Sequence, residues 1–470
     1  MKTARLAGHS TTVIVMPALL ALAAIILIWL TGHQTEARAA GPADPISLEM
    51  HTIASTEPGI NLSIREKHVA GRTNFRSDRV ILLLEPFGVP AAEAFDTSIP
   101  EFNLMDNLAR QGYDVWALDF RGFGASGRSS VFDQPMMANP PQERAPEAVK
   151  DVDAAMQYIC GQRNVAKANV LGWSWGAVVA STYAGQHPEK LERLVVYGGM
   201  HAFLLPSMTN PMTDPNTGQM KPLPAYQFAT PSMSINHWNM QAMGMVPHTP
   251  EAETELSRIF LASDATSGTR SPASIRRAMG PMVDLYEIWS GRPTFDASLI
   301  TAPTLIIRGD HDTFSDDPGF MPALSNVPYK RYVAIPEATH WALYETGAAP
   351  TLMHEISRFL SSGRPVLELN YAGVFWANLT DYQNGLLNVK YRIDNHGTDT
   401  AYNLRITGSS ATGDVTLDST GGLLLGEIAG GASTPFTLRY KVPGGLSGFR
   451  ATVNAAAEDG GGAAYSYPTG

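Results

Sequence analysis

Six short apolar runs recur between Arg79 and Ile335: Arg79–Glu85 (RVILLLE), Tyr113–Asp119 (YDVWALD), Ala168–Gly172 (ANVLG), Leu191–Tyr197 (LERLVVY), Thr304–Arg308 (TLIIR) and Arg331–Ile335 (RYVAI). A strand with one wet face alternates apolar and polar side chains, whereas continuous apolar runs belong to strands covered on both faces, the condition of a parallel sheet between two layers of helix. Helical patterns fall where such a sheet needs them, at Pro146–Cys160, Ala177–His187 and Pro350–Leu360. From Ile46 to about Leu360 the chain is therefore expected to be α/β, with a mostly parallel sheet and helices on both faces. A hydrophobic share of 44% in 470 residues suffices for a large core. The single cysteine, Cys160, excludes an internal disulfide or a thiolate cluster and reads as a small buried hydrophobe.

Between Gly198 and Ser298 the rhythm stops. The stretch is rich in Met, Pro and Trp, and only Glu251–Leu261 and Ser274–Trp289 carry a helical pattern. It is too long for a plain connection, so a cap is expected at about residues 198–298. Its methionines and aromatics suit either a cover over an apolar substrate or the small core of the cap itself. Beyond Arg364-Pro365 the pattern becomes alternation, as in Gly385–Ile393 (GLLNVKYRI), Tyr402–Thr407, Pro435–Val442 and Phe449–Ala455, with Asn-Gly, Gly-Gly and Pro-Gly-Gly turns between. Residues 366–470 are expected to form a separate antiparallel, immunoglobulin-like β-sandwich that ends in a loose tail.

At the amino terminus, Lys2 and Arg5 precede the uncharged run Thr11–Leu30, and Ala37-Arg38-Ala39 offers a small-x-small cleavage site. Residues 1–39 are expected to be either a cleaved signal peptide or a retained membrane anchor, with the catalytic region 40–365 and the sandwich outside the cytoplasm in both cases. Thirty-four basic against 44 acidic residues leave 34 − 44 = −10, which sets nucleic acid aside as a partner.

The chemistry-bearing residues sit at strand ends. Ala168–Ala180 (ANVLGWSWGAVVA) reads as a strand, then Gly172-Trp173-Ser174-Trp175-Gly176, then a helix. Such a sharp turn strains the central residue and presents its side chain at the carboxyl edge of the sheet, which makes Ser174 the candidate nucleophile. A serine hydroxyl needs a base, and that base needs an anion to hold its tautomer. Thr304–Asp312 (TLIIRGDHD) and Arg331–Trp341 (RYVAIPEATHW), each a strand running into a loop, supply Asp312 and His340. Asp310 is an alternative acid, as are Asp316 and Asp317.

Four motifs then occur in order: Asp119-Phe-Arg-Gly-Phe-Gly-Ala-Ser126, the turn at Ser174, Gly309-Asp-His-Asp312 and Pro336-Glu-Ala-Thr-His340-Trp. With these the chain resembles a capped serine α/β-hydrolase of the esterase and peptidase kind, from about Ile46 to Leu360. The resemblance implies a Ser174–His340–Asp312 triad. One departure stands out: family members usually carry His-Gly after the third strand, where this chain reads Glu85-Pro86-Phe87-Gly88-Val89-Pro90. An oxyanion hole needs backbone amides rather than that imidazole, so the expected donors are Trp175 and Val89, with Phe87 in place of Val89 if the loop is shifted. Glu85 reads as a solvated strand end or an ion-pair member. Phe87, Trp173 and Trp341 are expected to line the substrate pocket, with packing beneath the cap as the other reading of Trp173. His201, His237 and His248 of the cap either touch substrate or have ordinary roles.

The expected substrate is a mainly apolar small-molecule ester or amide, or a short peptide, cleaved without cofactor or metal. Acyl transfer to another acceptor and a non-catalytic, surface-anchored interaction protein are the rival readings. The sandwich partner is not legible. A serine at the turn excludes the carboxylate nucleophile of epoxide hydrolases and dehalogenases. Gly122-Phe-Gly124-Ala-Ser-Gly127 fits a dinucleotide fingerprint in spacing, but a Pro- and Ser-bearing loop follows it where a helix should open.

Overall fold

The computed structural model describes residues 11–14 and 45–469, except 246, 362–364, 366, 396, 398–399, 419–422 and 459–463. The chain divides into two compact units, Pro42–Leu360 and Ser361–Gly470, the latter grouped with the amino-terminal residues.

The first unit is built on an eight-stranded sheet. Its strands are β1 (Ile46–Ala54), β2 (Asn61–Val69), β3 (Val80–Leu84), β4 (Asp114–Leu118), β5 (Ala168–Trp173), β6 (Leu191–Tyr197), β7 (Thr304–Gly309) and β8 (Lys330–Ile335). They lie in the order β8-β7-β6-β5-β3-β4-β2-β1. Strands β3 to β8 pair in parallel and correspond to the six apolar runs; β1 and β2 extend the β4 edge in antiparallel fashion. Strands β3, β4, β5 and β7 are buried at every residue, as continuous apolar runs require when helices cover both faces. The covering helices include α1 (Ala91–Phe95), α2 (Leu104–Arg110), α3 (Ala145–Arg163) and α4 (Trp175–Gln186). Cys160 lies in the last turn of α3, half-buried against the core.

The insertion between β6 and β7 is richer in structure than its pattern suggests. It holds α5 (Pro231–Ala242), α6 (Pro250–Ala262), α7 (Gly280–Trp289) and a two-stranded ribbon pairing Tyr226–Ala229 with Ile275–Ala278. Helix α6 stands where expected. Helix α5 has no periodic signal because Ser234, Trp238, Gln241 and Ala242, its buried face, mix polar with apolar residues. The single helix expected over Ser274–Trp289 is instead a ribbon strand followed by α7, broken at Met279-Gly280-Pro281. Helix α8 (Ala349–Leu360) closes the unit, burying Ala349, Leu352, Met353, Ile356, Phe359 and Leu360 on one stripe.

The second unit is the antiparallel sandwich. One sheet pairs β9 (Leu367–Phe375), β10 (Leu386–Asn395) and Ser433–Lys441, with Thr416–Leu417 at its edge; the other pairs Leu423–Ile428, Ala401–Ala411 and Gly448–Glu458. Alternate residues such as Leu387, Val389 and Tyr391 meet Leu404, Ile406 and Val453 in one core. The expected loose tail is in part a strand, Ala464–Thr469, paired with Gly448–Glu458. Thr11–Ile14, the start of the uncharged amino-terminal run, also pairs as a strand with Gly448–Ala451, in keeping with the β-branched sequence Thr-Thr-Val-Ile. The rest of that run lies outside the described residues. Among the described residues no helix is long and apolar enough to cross a membrane.

Candidate active site

Ser174 sits between β5 and α4 with φ 58° and ψ −121°. Positive φ is costly for a residue with a Cβ and persists only where surroundings impose it. The glycines on either side show why the turn is so tight. A Cβ on Gly172 would lie 2.2 Å from the Gly176 carbonyl oxygen, and one on Gly176 would lie 2.3 Å from that of Glu85. The Ser174 amide donates to Tyr197 at the end of β6 (2.8 Å), and its side chain does not cap α4. The hydroxyl makes no hydrogen bond among the described residues and faces a cavity of about 200 Å³ that His340 also lines.

His340 Nδ1 and Asp312 Oδ2 are 2.7 Å apart, with Asp312 fully buried and His340 5% exposed. Burial alone would raise the Asp312 carboxyl, but His340 and the Ser315 hydroxyl outweigh it and hold the group below the ordinary carboxylate range. The other aspartates are spent elsewhere. Asp310 is exposed, Asp316 pairs with Arg308, and Asp317 accepts from the amides of His201 and Ala202. The His340 loop is held from several sides: its carbonyl accepts from Tyr197 Oη (2.9 Å) and Trp173 Nε1 (3.2 Å), and Glu345 accepts from Thr339 and Trp238.

Several sequence expectations are corrected. Val89 does not face the cavity; its amide closes a turn on Pro86 (3.3 Å) and its side chain is buried in the core. Phe87 lines the cavity instead, so the loop is shifted by two residues, and neither its amide nor that of Trp175 has a protein acceptor among the described residues. Trp173 does not line the cavity but stacks on Tyr197 beneath it, 5.0 Å between ring centres. Trp341 does line it, and its Nε1 donates to His237 Nδ1 (3.1 Å). The Trp175 indole is buried in the core and donates to Asp284 (3.1 Å).

Glu85 is no solvated strand end. It is fully buried, and its Oε2 accepts from the Ala91 amide at the start of α1 (2.9 Å), while Asp119 accepts from Ala92 (2.9 Å). These carboxyls meet amides that an α-helix leaves unsatisfied at its first turn, and so anchor the loop carrying Phe87. Burial, then the proximity of Asp119, pushes the Glu85 carboxyl far up; burial pushes Asp119 to about 6.

Of the three cap histidines, only His237 reaches the cavity, 5.5 Å from the His340 ring. Burial and then its neighbour His340 push it down to about 3, so it is neutral. The residue that sequence reasoning missed is Gln241 on α5. Its Oε1 accepts from the His340 amide (2.6 Å) and its Nε2 donates to Asp312 Oδ1 (3.4 Å). A lone glutamine in an insertion carries no motif, so no sequence signal could have found it. Met200, Met208, Met233 and Met282 complete an apolar wall.

A wider cleft of about 530 Å³ lies in the second unit beside Trp376 and Tyr382, but no histidine or carboxylate lines it. Glu66, His68 and Asp114 also converge where β2 meets the start of β4, yet Arg163 is already paired with both carboxylates.

A strained serine at a strand-to-helix turn, a buried histidine–aspartate pair and an inserted cap define a class of α/β enzymes. The model of the alpha/beta hydrolase fold matches residues 94–346, more than half of the 470, and the chain belongs to that family. No curated protein matches. Among solved structures, the chain is similar to an enol-lactonase from Burkholderia xenovorans LB400 (17% identity, 66% of this chain and 100% of that one, TM-score 0.42). It is similar also to a thermophilic esterase from Thermogutta terrifontis (17%, 66% and 98%, 0.42). A third is a membrane phospholipase A described as a bacterial virulence factor (20%, 73% and 95%, 0.42).

Proposed function

We propose that the protein is an exported serine hydrolase that cleaves an ester or amide bond through an acyl-enzyme. The observation that carries this reading is the buried His340–Asp312 pair opening onto the same cavity as the unspent hydroxyl of Ser174. Ser174 Oγ attacks the substrate carbonyl as His340 Nε2 takes its proton. Asp312 holds the Nδ1–H tautomer and stabilises the imidazolium. The amides of Trp175 and Phe87 receive the oxyanion; Trp175 contributes the positive end of α4 as well as its N–H. His340 returns the proton to the leaving alcohol or amine, then deprotonates the water that releases the acid. The small cavity with its methionine wall favours a small, mainly apolar acyl group. Export rests on Lys2, Arg5 and the uncharged run Thr11–Leu30.

Release of 4-nitrophenol from 4-nitrophenyl butyrate is the test. Wild type turns the ester over and Ser174→Ala loses about 10⁴-fold or more in kcat; equal rates would remove Ser174 from the chemistry.

A further inference from the structure

Arg276 and Arg277 are neighbours on the cap ribbon, and successive strand residues point to opposite faces. Arg276 is paired with Asp264 and Asp133. Arg277 turns the other way, into the active-site cavity, where it is 8% exposed. Among the described residues no carboxylate pairs with it. Its neighbours are neutral: the guanidinium lies over the Phe87 ring, 4.3 Å to the ring centre, and the Gln227 amide, with its oxygen turned inward, accepts from it across the ribbon. Gly88 makes room for the arginine stem, since a Cβ there would lie 2.8 Å from Arg277 Cδ.

A guanidinium stays charged under any ordinary condition, and a buried charge is strongly unfavourable unless an anion meets it. Burial lowers Arg277 to about 10, which leaves it a cation at neutral pH. His237, the other titratable cap residue at the cavity wall, is held neutral and supplies no counter-charge. The unmet partner must come from outside the protein, and Arg277 faces the cavity it shares with Ser174.

We propose that Arg277 is the specificity-determining residue of the site, and that its substrates carry a free carboxylate at the far end of a short apolar chain from the scissile bond. This rests on the hydrolase reading above. The planar guanidinium offers parallel N–H donors that match a carboxylate, while the methionine wall receives the chain between the two ends.

The test compares wild type, Arg277→Met and Arg277→Lys on three esters: mono-4-nitrophenyl glutarate, neutral 4-nitrophenyl pentanoate, and the butyrate ester of 3-hydroxybenzoate, which carries its acid on the alcohol side. Wild type should favour at least one acidic ester over the neutral one by kcat/KM, mainly through KM. Arg277→Met should erase about 10²-fold of that preference, lowering kcat/KM on the acidic ester far more than on the neutral one, and Arg277→Lys should keep part of it. Thermal shift supplies a readout without turnover: hexanoate should raise the Tm of wild type but not of Arg277→Met, and hexanol should not distinguish them. Removing an unpaired buried charge should leave the Tm of Arg277→Met equal or higher. An arginine that only packs the ribbon would instead give a lower Tm and equal losses on all esters. That result, or a wild type with neither a preference for an acidic ester nor a hexanoate shift, overturns the proposal. Failure to hydrolyse any ester, with the hexanoate shift intact, would overturn the hydrolase reading and leave the anion site standing.

Discussion

Ser174 occupies the N-cap of α4, where a serine ordinarily accepts from an amide two or three residues on. Its φ of 58° and ψ of −121° turn the side chain away from that bond. The helix thus forgoes a cap, at about 1 kcal/mol, and the hydroxyl stays free for a substrate. Gln241 acts on the other side of the site by holding both the His340 amide and the Asp312 carboxylate from the cap. Replacing it with alanine leaves the His340–Asp312 bond in place but less constrained. Gln241→Ala should therefore lower kcat by about 10- to 100-fold with little change in KM, read by steady-state kinetics on a neutral ester. Ser174 and its two partners were legible in the sequence because each follows a strand with a characteristic turn. Glu85 and Val89 were misplaced because the loop after β3 lacks the usual His-Gly, and a buried carboxyl leaves no trace in local hydropathy.

At the level of elements, the turn works because backbone meets backbone without side chains between. Gly176 packs its Cα against the Glu85 and Leu84 carbonyls, so a methyl group there could be accommodated only by moving α4 off β3. Gly176→Ala should lower the Tm by several degrees, corresponding to about 1–3 kcal/mol, or prevent folding, as followed by circular dichroism on heating. The same contrast between backbone and side chain governs what could be read in advance. Strands β3 to β7 announced themselves because burial on both faces demands nearly unbroken apolar runs, whereas β8, at the sheet edge, buries only Ile335. Strands β1 and β2 did not, since β1 is largely exposed and β2 carries Arg65, Glu66, Lys67 and His68. In the cap, α6 and α5 both open on Thr-Pro, but only α6 has a Thr249 cap that accepts from Ala252 with Glu251 and Glu253 in its first turn, while α5 has neither the cap bond nor an acidic first turn.

Across the whole molecule, stability and pH are coupled through buried carboxyls. Asp119 is raised from 3.8 to about 6, so its neutral form is the one the fold prefers. The stability it contributes is fully present below 3.8 and is lost as pH rises through about 6. Asp119→Asn should flatten the pH dependence of the Tm over that interval, whatever it does to the absolute value; an unchanged slope would detach Asp119 from it. The division into two units was visible as a change from continuous to alternating patterning near residue 365, because each pattern demands a different layer architecture. The proposed chemistry depends on Ser174 being made nucleophilic by His340. The most direct measurement is labelling of the purified protein with a fluorophosphonate, followed by mass spectrometry of its peptides. One adduct on Ser174, formed in wild type and lost in His340→Ala, is the predicted outcome. An unlabelled Ser174 in folded wild type, or labelling of equal rate in His340→Ala, would contradict it.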